Sequence, residues 1–383
     1  MAAGTNGLFA DGGHYSPRRP AHFSPKQIVL TKGSRSSPQR RRLTEDICRL
    51  YPEARIWEHE NRSHNRVDLG CTDPLDAHRQ GKSTLVLGEH NSAVGLSQEH
   101  DNCCPNYWHF SPYGFCPYGC TYCYLAGTRG VYFSPTVKVF LNLPEILGRI
   151  HRVSREAGRP TAFYLGKLQD GLALDPLTGY SRVLVPFFAH HSTARLIVLT
   201  KAADVENLLD LPHGGHTILS WSLNPSEVGA EFEPNVPPVE RRLEAMRRCA
   251  AAGYPVRAVI MPIIPIAGWQ RVYERFLRGL LRNVHLDRIT LGGICSYPSA
   301  VRLTEAKMGT SAAAALGLGR PTARSMDGRA RCSVDVRIRM FRLLVDVVRE
   351  MQPGLTVGLC LEERAVFEAV GLPQAIGRCN CVL

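Results

Sequence analysis

Strand-like and helix-like segments alternate along most of the chain, and this alternation limits the folds that it can adopt. Apolar, β-branched runs such as "RLIVLT", "TILSWSL" and "VRAVIM" are separated by segments of helical character, which include "AADVENLLDL" and "PPVERRLEAMRRCAAAG". Strands joined through helices pair in parallel within one sheet. The sequence therefore predicts an α/β fold with a parallel sheet, open or partly closed into a barrel, and functional residues at the carboxyl ends of its strands.

Changes in composition predict five segments. The first residues are rich in Gly, Pro, His and Arg without an apolar period, and "GTSAAAALGLGRPTARSMDGRAR" is a low-complexity stretch. The expected segments are a disordered arm (1–24), an N-terminal mixed α/β segment (25–108), a barrel core (109–300), a linker or mobile loop (301–335) and a C-terminal αβα extension (336–383).

The charge and the cysteine content narrow the class of protein. The chain carries 46 basic and 34 acidic residues, a formal net charge of +12. A basic surface attracts nucleic acids and nucleotides, although the same charge also serves solubility. We find neither an apolar run of about 18 residues nor a signal-peptide pattern, so we expect a cytoplasmic protein with no membrane partner. Thirteen cysteines in a reducing compartment favour metal or redox chemistry over disulfides.

The stretch "FCPYGCTYCYLAGT" places Cys116, Cys120 and Cys123 within eight residues. A structural zinc site closes with four ligands, and no histidine follows in the next turn. Thiolates hold iron–sulfur clusters, and a cubane bound by only three of them keeps one iron open for another ligand. The spacing favours such a cluster, with a zinc site or buried free thiols as the alternatives.

The motif CxxxCxxC followed by Tyr124 resembles the signature of radical S-adenosylmethionine (AdoMet) enzymes, and further stretches are similar to the spore photoproduct lyase family within that superfamily. These stretches are "SHNRV", "KSTLVLG", "CTYCYLAGT", "LTKAADVENLLDLPHGGHT", "SWSLNP", "FEPNVPPVERRLEAMRRCAAAGYPV" and "PIIPIAGW", and they fall within roughly residues 55–300. The resemblance implies a partial (β/α)6 TIM-like barrel of the radical AdoMet type, with a 4Fe-4S cluster and AdoMet as cofactors. It also implies cleavage of AdoMet to a 5'-deoxyadenosyl radical, which abstracts hydrogen from the substrate.

The resemblance assigns roles to individual residues. The three cysteines of the motif would ligate the cluster. Tyr124 would place its backbone beside the AdoMet adenine, and Lys201 would pair with the AdoMet carboxylate. Ser222 and Asn224 would hydrogen-bond the methionyl or ribose part. A solvated lysine at a strand end is the alternative for Lys201, and a satisfied core hydroxyl is the alternative for Ser222.

One position departs from the family pattern. The family's hydrogen-atom donor is a cysteine that corresponds here to Lys167, in "FYLGKLQDGLALDPLTG". An ammonium group does not donate hydrogen atoms as a thiol does, so Lys167 would instead contact a substrate carboxylate or phosphate, and the donor would be another thiol. The candidates are Cys295, Cys379 and Cys381, and for each of them a buried or free thiol without this role is the alternative.

The substrate stays open at this point. The family's lesion-binding segment is basic and aromatic, whereas "AAAALGLGRPTARSMDGRAR" supplies arginines but no aromatic side chains. Three functions are compatible: a lyase that repairs a thymine–thymine adduct in DNA, a related radical enzyme for a nucleoside or other small biosynthetic substrate, and a non-catalytic iron–sulfur protein that binds nucleic acid. Either enzyme needs an electron donor such as a flavodoxin, a ferredoxin or a reductase. The adjacent Cys103 and Cys104 are interpreted as structural.

Overall fold

A five-stranded sheet contains most of the N-terminal part of the chain. The computed structural model describes residues 15–99, 102–311, 315–318 and 328–383. The strands of this sheet are β1 (Gln27–Thr31), β2 (Arg55–His59), β3 (Thr84–Gly88), β6 (Tyr113–Gly114) and β7 (Val137–Phe140), in the order β2-β1-β3-β7-β6. All neighbours pair in parallel except β6 with β7. Since β6 and β7 come from beyond residue 108, the predicted N-terminal segment does not form a sheet of its own.

An eight-stranded sheet forms the centre of the molecule. Its strands are β4 (Val94–Ser97), β5 (Tyr107–Phe110), β8 (Thr161–Leu165), β9 (Ala194–Thr200), β10 (Thr217–Leu223), β11 (Val256–Ile263), β12 (Arg288–Gly293) and β15 (Thr356–Leu359). Their order is β15-β12-β11-β10-β9-β8-β5-β4, and every pair is parallel except β4 with β5. The predicted α/β fold with a parallel sheet is confirmed. Between the edge strands β4 and β15 no pairing occurs within the described residues, so this sheet is open.

Helices follow most strands and cover the sheets. They are α1 (Pro38–Leu50), α2 (Pro74–Lys82), α3 (Arg129–Phe133), α4 (Leu143–Ala157), α5 (Asp175–Thr178), α6 (Ser181–His190), α7 (Ser226–Phe232), α8 (Val239–Ala251), α9 (Trp269–Asn283), α10 (Pro298–Met308), α11 (Val334–Met351) and α12 (Arg364–Ala369). Short 3-10 turns span Tyr124–Gly127 and Pro373–Ala375, and a two-residue ladder joins β13 (Cys295–Ser296) to β14 (Ala330–Arg331). None of the helices in the described ranges is both long and apolar enough to cross a membrane.

Strand β10 shows how the sequence builds the two faces of the central sheet. All seven of its residues are buried, as expected for a parallel strand covered on both sides. Trp221 packs in the core, where its indole N–H donates to the carbonyl of Ala202 at 2.9 Å. Ser220 and Ser222 lie on the opposite face, because side chains alternate along a strand. Polar groups therefore line the inner face of the sheet, and the site is built there.

Two of the predicted boundaries need correction. The predicted disordered arm is wrong for residues 15–24: the hydroxyl of Tyr15 donates to the carbonyl of Pro176 at 2.7 Å, and Phe23 is buried in the core. Residues 1–14 lie outside the described part. The predicted linker over 301–335 is wrong at its start, because α10 continues to Met308; residues 312–314 and 319–327 are outside the described part. The helix predicted for "AADVENLLDL" is a series of turns.

Candidate active site

A cavity of about 420 Å³ lies at the carboxyl ends of the parallel strands. Each of six strands contributes a residue near or just beyond its carboxyl end. These residues are Lys167 after β8, Lys201 after β9, Ser222 in β10, Met261 in β11, Ile294 after β12 and Cys360 after β15. Parallel strands bring their carboxyl ends to one edge of the sheet, which is where ligands of such folds bind. The cavity therefore lies at the carboxyl ends of the strands, where the sequence predicted the functional residues.

The cysteine loop forms one wall of the cavity. Cys116, Cys120 and Cys123 all line it, between β6 and the 3-10 turn that begins at Tyr124. Lys82, at the end of α2, holds this loop: its ammonium donates to the carbonyls of Cys116 and Tyr118, the latter at 2.7 Å. Burial raises the pKa of Cys120 to about 12, and the Lys201 ammonium opposes this rise. Binding of a metal centre must therefore displace the thiol protons.

A buried ionic network lies behind the loop. Lys201 donates from Nζ to Ser222 Oγ at 2.7 Å and to Glu233 Oε1 at 3.1 Å. Arg242 donates to the other carboxylate oxygen of Glu233 at 2.7 Å, and the side chains of Glu233 and Arg242 are each 1% exposed. Burial acts to raise the pKa of Glu233, but the charges of Lys201 and Arg242 hold it well below its usual range. Two cations and one anion leave a net charge of +1, which suits a ligand carboxylate.

The network extends to Asn224 and Tyr122. The Asn224 amide donates to Glu233 at 3.1 Å and accepts from the Tyr273 hydroxyl at 3.1 Å, while Tyr122 donates to Glu233 at 2.5 Å. Asn224 is fully buried, and the lining of the cavity does not include it. Its predicted direct contact with AdoMet stays a prediction; in this structure it positions Glu233.

Asp170 joins the ends of β8 and β9. Its carboxylate accepts hydrogen bonds from Thr200 Oγ1 at 2.6 Å and from the backbone N–H of Lys201 at 2.6 Å. Burial raises its pKa, and these hydrogen bonds oppose the rise. Asp170 therefore fixes the backbone from which Lys201 reaches the cavity. The neighbouring Gln169 also lines the cavity, and within the described residues its side-chain oxygen has no hydrogen-bond partner.

The remaining predicted residues also reach this cavity. Tyr124 and Cys295 line it, and the ring of Tyr124 lies 6.3 Å from that of Tyr297. Lys167 donates to Ser97 Oγ, and burial lowers its pKa. The lysine at the expected thiol position therefore contributes a hydrogen-bond donor to the cavity wall.

Four further cysteines lie at the cavity. Cys104 and Cys360 lie there together with Cys379 and Cys381. Interaction with the Cys104 and Cys381 thiols holds the pKa of Cys379 well below its usual range. The interpretation of Cys104 as structural stays a prediction; the fold places its thiol on the cavity wall with three others, to which no local spacing in the sequence relates it.

Arginines of the low-complexity stretch are engaged inside the protein. Arg329 donates to Glu99 at 3.1 Å and to the Tyr297 hydroxyl at 3.0 Å, and Arg331 donates to the carbonyl of Leu361 at 2.8 Å. The arginines of this stretch were expected to be available for phosphate contacts, whereas Arg329 lines the cavity and Arg331 is buried against the residues that follow β15.

Sequence reasoning missed several residues that organise the site. They are Lys82, Asp170, Glu233 and Arg242. Each lies in a stretch that was singled out: "KSTLVLG", "FYLGKLQDG" or "FEPNVPPVERRLEAMRR". No local signal separates Glu233 and Arg242 from their charged neighbours, and the identity of each buried partner depends on the fold.

Comparisons with known proteins agree with this geometry. The family model described as spore photoproduct lyase matches residues 23–291. A spore photoproduct lyase of Geobacillus sp. (strain Y412MC61) is 30% identical over 265 residues, covering 68% of this chain and 74% of that protein. A spore photoproduct lyase of Bacillus subtilis (strain 168) is 29% identical over 261 residues, covering 67% and 73%.

Solved structures give the same result. A spore photoproduct lyase complexed with dinucleoside spore photoproduct superimposes with a TM-score of 0.76 at 25% identity, covering 89% of this chain and 100% of that one. A mutant of spore photoproduct lyase with bound AdoMet and dinucleoside spore photoproduct has the same TM-score of 0.76 and the same 25% identity, covering 88% of this chain and 99% of that one.

Proposed function

The chain belongs to the spore photoproduct lyase family of radical AdoMet enzymes, and from this premise we propose that it repairs the thymine–thymine adduct of spore photoproduct in DNA. One observation carries the proposal. A single cavity brings together the three-cysteine loop and the buried cationic network, at the strand ends where this fold binds ligands.

The thiols of the loop fit a 4Fe-4S cluster. Three sulfur donors from one loop line the cavity, and Lys82 and Lys307 place positive charge beside them. When bound, the cluster and AdoMet supply the 5'-deoxyadenosyl radical. The chain's own contribution is to hold the loop through Lys82 and to offset the negative charge of three thiolates.

Lys201 and Ser222 would bind the methionyl end of AdoMet. Lys201 Nζ lies on the cavity wall with a net charge of +1 behind it, and its hydrogen bond to Ser222 fixes its direction. A carboxylate placed against this ammonium gains a charge-assisted hydrogen bond in a buried site. Tyr124 closes the adjacent wall, where it would lie beside the adenine.

Cys295 would return a hydrogen atom to the substrate radical. Its sulfur lines the cavity next to Tyr124 and Tyr297, and it is 3% exposed, so water has little access to a radical there. The thiol S–H bond breaks, the substrate radical gains the hydrogen atom, and the sulfur is left as a thiyl radical, which one electron from the reductant and one proton from water return to the thiol.

The positive net charge of the protein would attract both the substrate and the electron donor. The charge of +12 attracts the DNA backbone, and Lys167 presents its ammonium at the cavity for a phosphate or carbonyl oxygen of the lesion. The same field would attract an acidic flavodoxin or ferredoxin as the reductant.

An anaerobic turnover assay tests the function. The reduced, cluster-loaded protein is incubated with AdoMet and dinucleoside spore photoproduct, and thymidine and 5'-deoxyadenosine are quantified. We expect formation of thymidine that depends on AdoMet. If 5'-deoxyadenosine forms at a rate that the dinucleoside does not change, and no thymidine appears, the proposed repair activity is wrong.

The hydrogen donor is tested in the same assay. Cys295→Ala should keep its iron and its formation of 5'-deoxyadenosine, whereas thymidine-forming turnovers should fall at least about a hundredfold, the lower end of what loss of a general acid–base group costs. The matched control is Cys249→Ala, which removes an equally buried thiol in α8, away from the cavity. Unchanged formation of thymidine by Cys295→Ala would exclude Cys295 as the donor.

A further inference from the structure

Four cysteines from three distant parts of the chain converge on one wall of the cavity. Cys104 lies in the loop between β4 and β5, Cys360 directly follows β15, and Cys379 and Cys381 belong to the C-terminal tail. None of them belongs to the three-cysteine loop. All four thiols are free of disulfides.

The four thiols lie close to one another, and we call them the ring. Cys104 is near enough to Cys360 and Cys379 for both to raise its pKa, and Cys104 and Cys381 together lower the pKa of Cys379. Cys381 lies close enough to Cys360 for their charges to interact. Thiols are small apolar groups that pack well singly, so packing alone does not require four of them on one cavity wall.

The surrounding backbone is built to hold this ring. Leu361 N–H donates to Cys104 Sγ at 3.3 Å, and Cys103 N–H donates to the carbonyl of Glu362 at 2.8 Å. These hydrogen bonds join the loop at one edge of the central sheet to the residues that follow the strand at its other edge. The ring therefore lies where the open sheet must be held together.

Buried arginines fix the C-terminal tail beside the ring. Arg288 donates to the carbonyl of Cys379 at 2.8 Å, and Arg257 donates to the carbonyl of Val382 at 2.8 Å. Gly358 of β15 lets the tail pass closely, because a Cβ there would lie 2.2 Å from the carbonyl oxygen of Arg378. The two arginines, offset in part by Asp287 at 2.9 Å from Arg257, supply positive charge next to the four sulfur atoms.

We propose that Cys104, Cys360, Cys379 and Cys381 form a second metal site, a tetrathiolate centre for a single ion of the zinc class. This site is separate from the three-cysteine loop and does not depend on the proposed repair activity. Binding releases the protons that the four cysteines still carry, and the resulting centre with a charge of −2 is offset by the neighbouring arginines. No electron transfer is involved.

The closeness of the four thiols favours one ion over a cluster. Sulfur atoms bound to one tetrahedral zinc at ~2.3 Å stand ~3.8 Å apart. The four cysteines of a 4Fe-4S cluster bind four different irons, so their sulfur atoms stand farther apart. Within the described residues, no group of three or more His, Cys, Asp or Glu side chains is arranged so that it could hold a metal ion, either in the ring or in the three-cysteine loop. The thiols of the ring must therefore turn towards a common centre when they exchange their protons for the ion.

Such a centre would serve two purposes in the molecule. It would tie the C-terminal tail to both edges of the open sheet, and it would form a fixed wall of the substrate cavity opposite the three-cysteine loop. It would also remove Cys379 and Cys381 from the set of hydrogen-atom donors, because a metal-bound thiolate has no S–H bond to give.

Metal analysis of the purified chain tests the proposal. The full-length protein is isolated anaerobically without chemical reconstitution, freed of unbound metal, and analysed for zinc, iron and sulfide. We expect about one zinc per chain, which Cys379→Ala reduces at least about tenfold. Cys249→Ala is the matched control, since both thiols are buried, with exposures of 3% for Cys379 and 0% for Cys249, and only Cys379 belongs to the ring.

A measurement on the wild-type chain covers the case in which the variant does not fold. Thiols are alkylated under native conditions, with and without a strong zinc chelator, and the modified cysteines are mapped by mass spectrometry. We expect the four ring cysteines to be protected together and to become reactive together when the chelator removes zinc. Three results would overturn the proposal. The first is iron and sulfide beyond the content of one cluster, with this excess absent from Cys379→Ala. The others are a disulfide among the four cysteines and protection of their thiols that does not change when zinc is removed.

Discussion

Two sets of cysteines face the same cavity, and they differ in how the chain brings them together. The three-cysteine loop contributes Cys116, Cys120 and Cys123 from eight consecutive residues. The ring contributes Cys104, Cys360, Cys379 and Cys381, and these come together only when both edges of the central sheet and the C-terminal tail are in place. The first set is a property of a local segment, and the second set is a property of the completed fold.

This difference explains what each set is suited to do. A loop with three donors and no fourth leaves a coordination position for a reactant, which is what catalysis at a metal centre needs. Four donors from three segments close a site completely, which is the arrangement of structural zinc. The cavity thus has one wall suited to chemistry and another suited to holding the protein together.

The largest expected effect comes from a mutation that removes one cysteine of the three-cysteine loop and leaves the ring intact. Cys120→Ala removes one of three cluster ligands, so the protein should lose most of its cluster iron and essentially all formation of 5'-deoxyadenosine, a loss above the ~10–100-fold that a second-shell change costs. Zinc should stay at about one ion per chain, because the ring is untouched. Iron, zinc and the visible absorbance of the cluster are measured on the same sample.

The reverse variant completes the comparison. Cys104→Ser should lose zinc and keep cluster iron. If either variant loses both metals in proportion, the two sets of cysteines do not form independent centres, and the distinction between them is wrong.

The three-cysteine loop was predictable from the sequence, because the spacing of its cysteines along the chain already indicates a metal-binding motif. The same is true of the alternating strands and helices, whose apolar periods predicted the parallel sheet and placed Lys201 at a strand end. The expectation for Ser222 came from the family resemblance. The ring was not predictable in this way. Cys104 and Cys381 are separated by most of the chain, and the sequence alone does not show that β5 and β15 occupy opposite edges of one sheet.

The ion-pair partners in the buried network around Glu233 were also not predictable from the sequence. Lys201 was expected at the cavity, but its ion pair with Glu233 depends on a loop that follows α7 and returns to β9. The family resemblance implied a contact between Asn224 and AdoMet, which stays a prediction, and in the fold the Asn224 amide donates to Glu233. Local pattern predicts which edge of the sheet a residue reaches, and long-range packing decides whether it faces a ligand or another side chain.

The next largest effect is expected for Glu233→Gln. This change tests whether the ion pairs of Glu233 stabilise the wall of the cavity that carries the three-cysteine loop. The change leaves Lys201 and Arg242 buried without their carboxylate, so the free energy of unfolding should fall by about 3–5 kcal/mol. Because the folded-state pKa of Glu233 is depressed, its stabilisation in the wild type is present above its ordinary value of 4.5 and is lost as the pH falls below it. Denaturant unfolding between acidic and neutral pH measures both effects.

A surface pair provides the control for this change. Glu227 pairs with Arg275 at the surface, and Glu227→Gln should cost about 0–1 kcal/mol at every pH. Zinc content should be unchanged in both variants. A Glu233→Gln protein as stable as Glu227→Gln would mean that the buried network does not stabilise this side of the cavity.

Removal of zinc should produce a smaller effect, confined to the other wall. With a strong chelator we expect the thermal midpoint to fall by a few degrees, as for loss of about 1–2 kcal/mol in a chain of this size. The exposed Arg378 then becomes a site for trypsin, which would release the five residues Cys379–Leu383. Intact mass reports the cut. Cys379→Ala should be cut at the same rate with and without chelator, and a wild-type tail that stays resistant after zinc is removed would show that the arginines alone hold it.

The smallest effect is expected for Lys82→Met, which acts on the loop without touching a ligand. Lys82 donates to two loop carbonyls and lies 3.7 Å from the centre of the Phe115 ring, so it fixes the backbone on which Cys116 is carried. Methionine keeps the length of the side chain and removes the donor and the charge. We expect about a tenfold faster loss of iron to a chelator, at the lower end of second-shell effects.

Two matched variants locate the origin of that effect. Lys32→Met removes an exposed lysine that lies 3.9 Å from Glu89, and it should leave the rate of iron loss unchanged. Lys82→Arg keeps the charge but changes the geometry of the donor, so an intermediate rate would show that the hydrogen bonds to the loop carbonyls matter beyond charge. If Lys82→Met loses iron as completely as Cys120→Ala, the loop does not define its own geometry, and even the local set of cysteines depends on the rest of the fold.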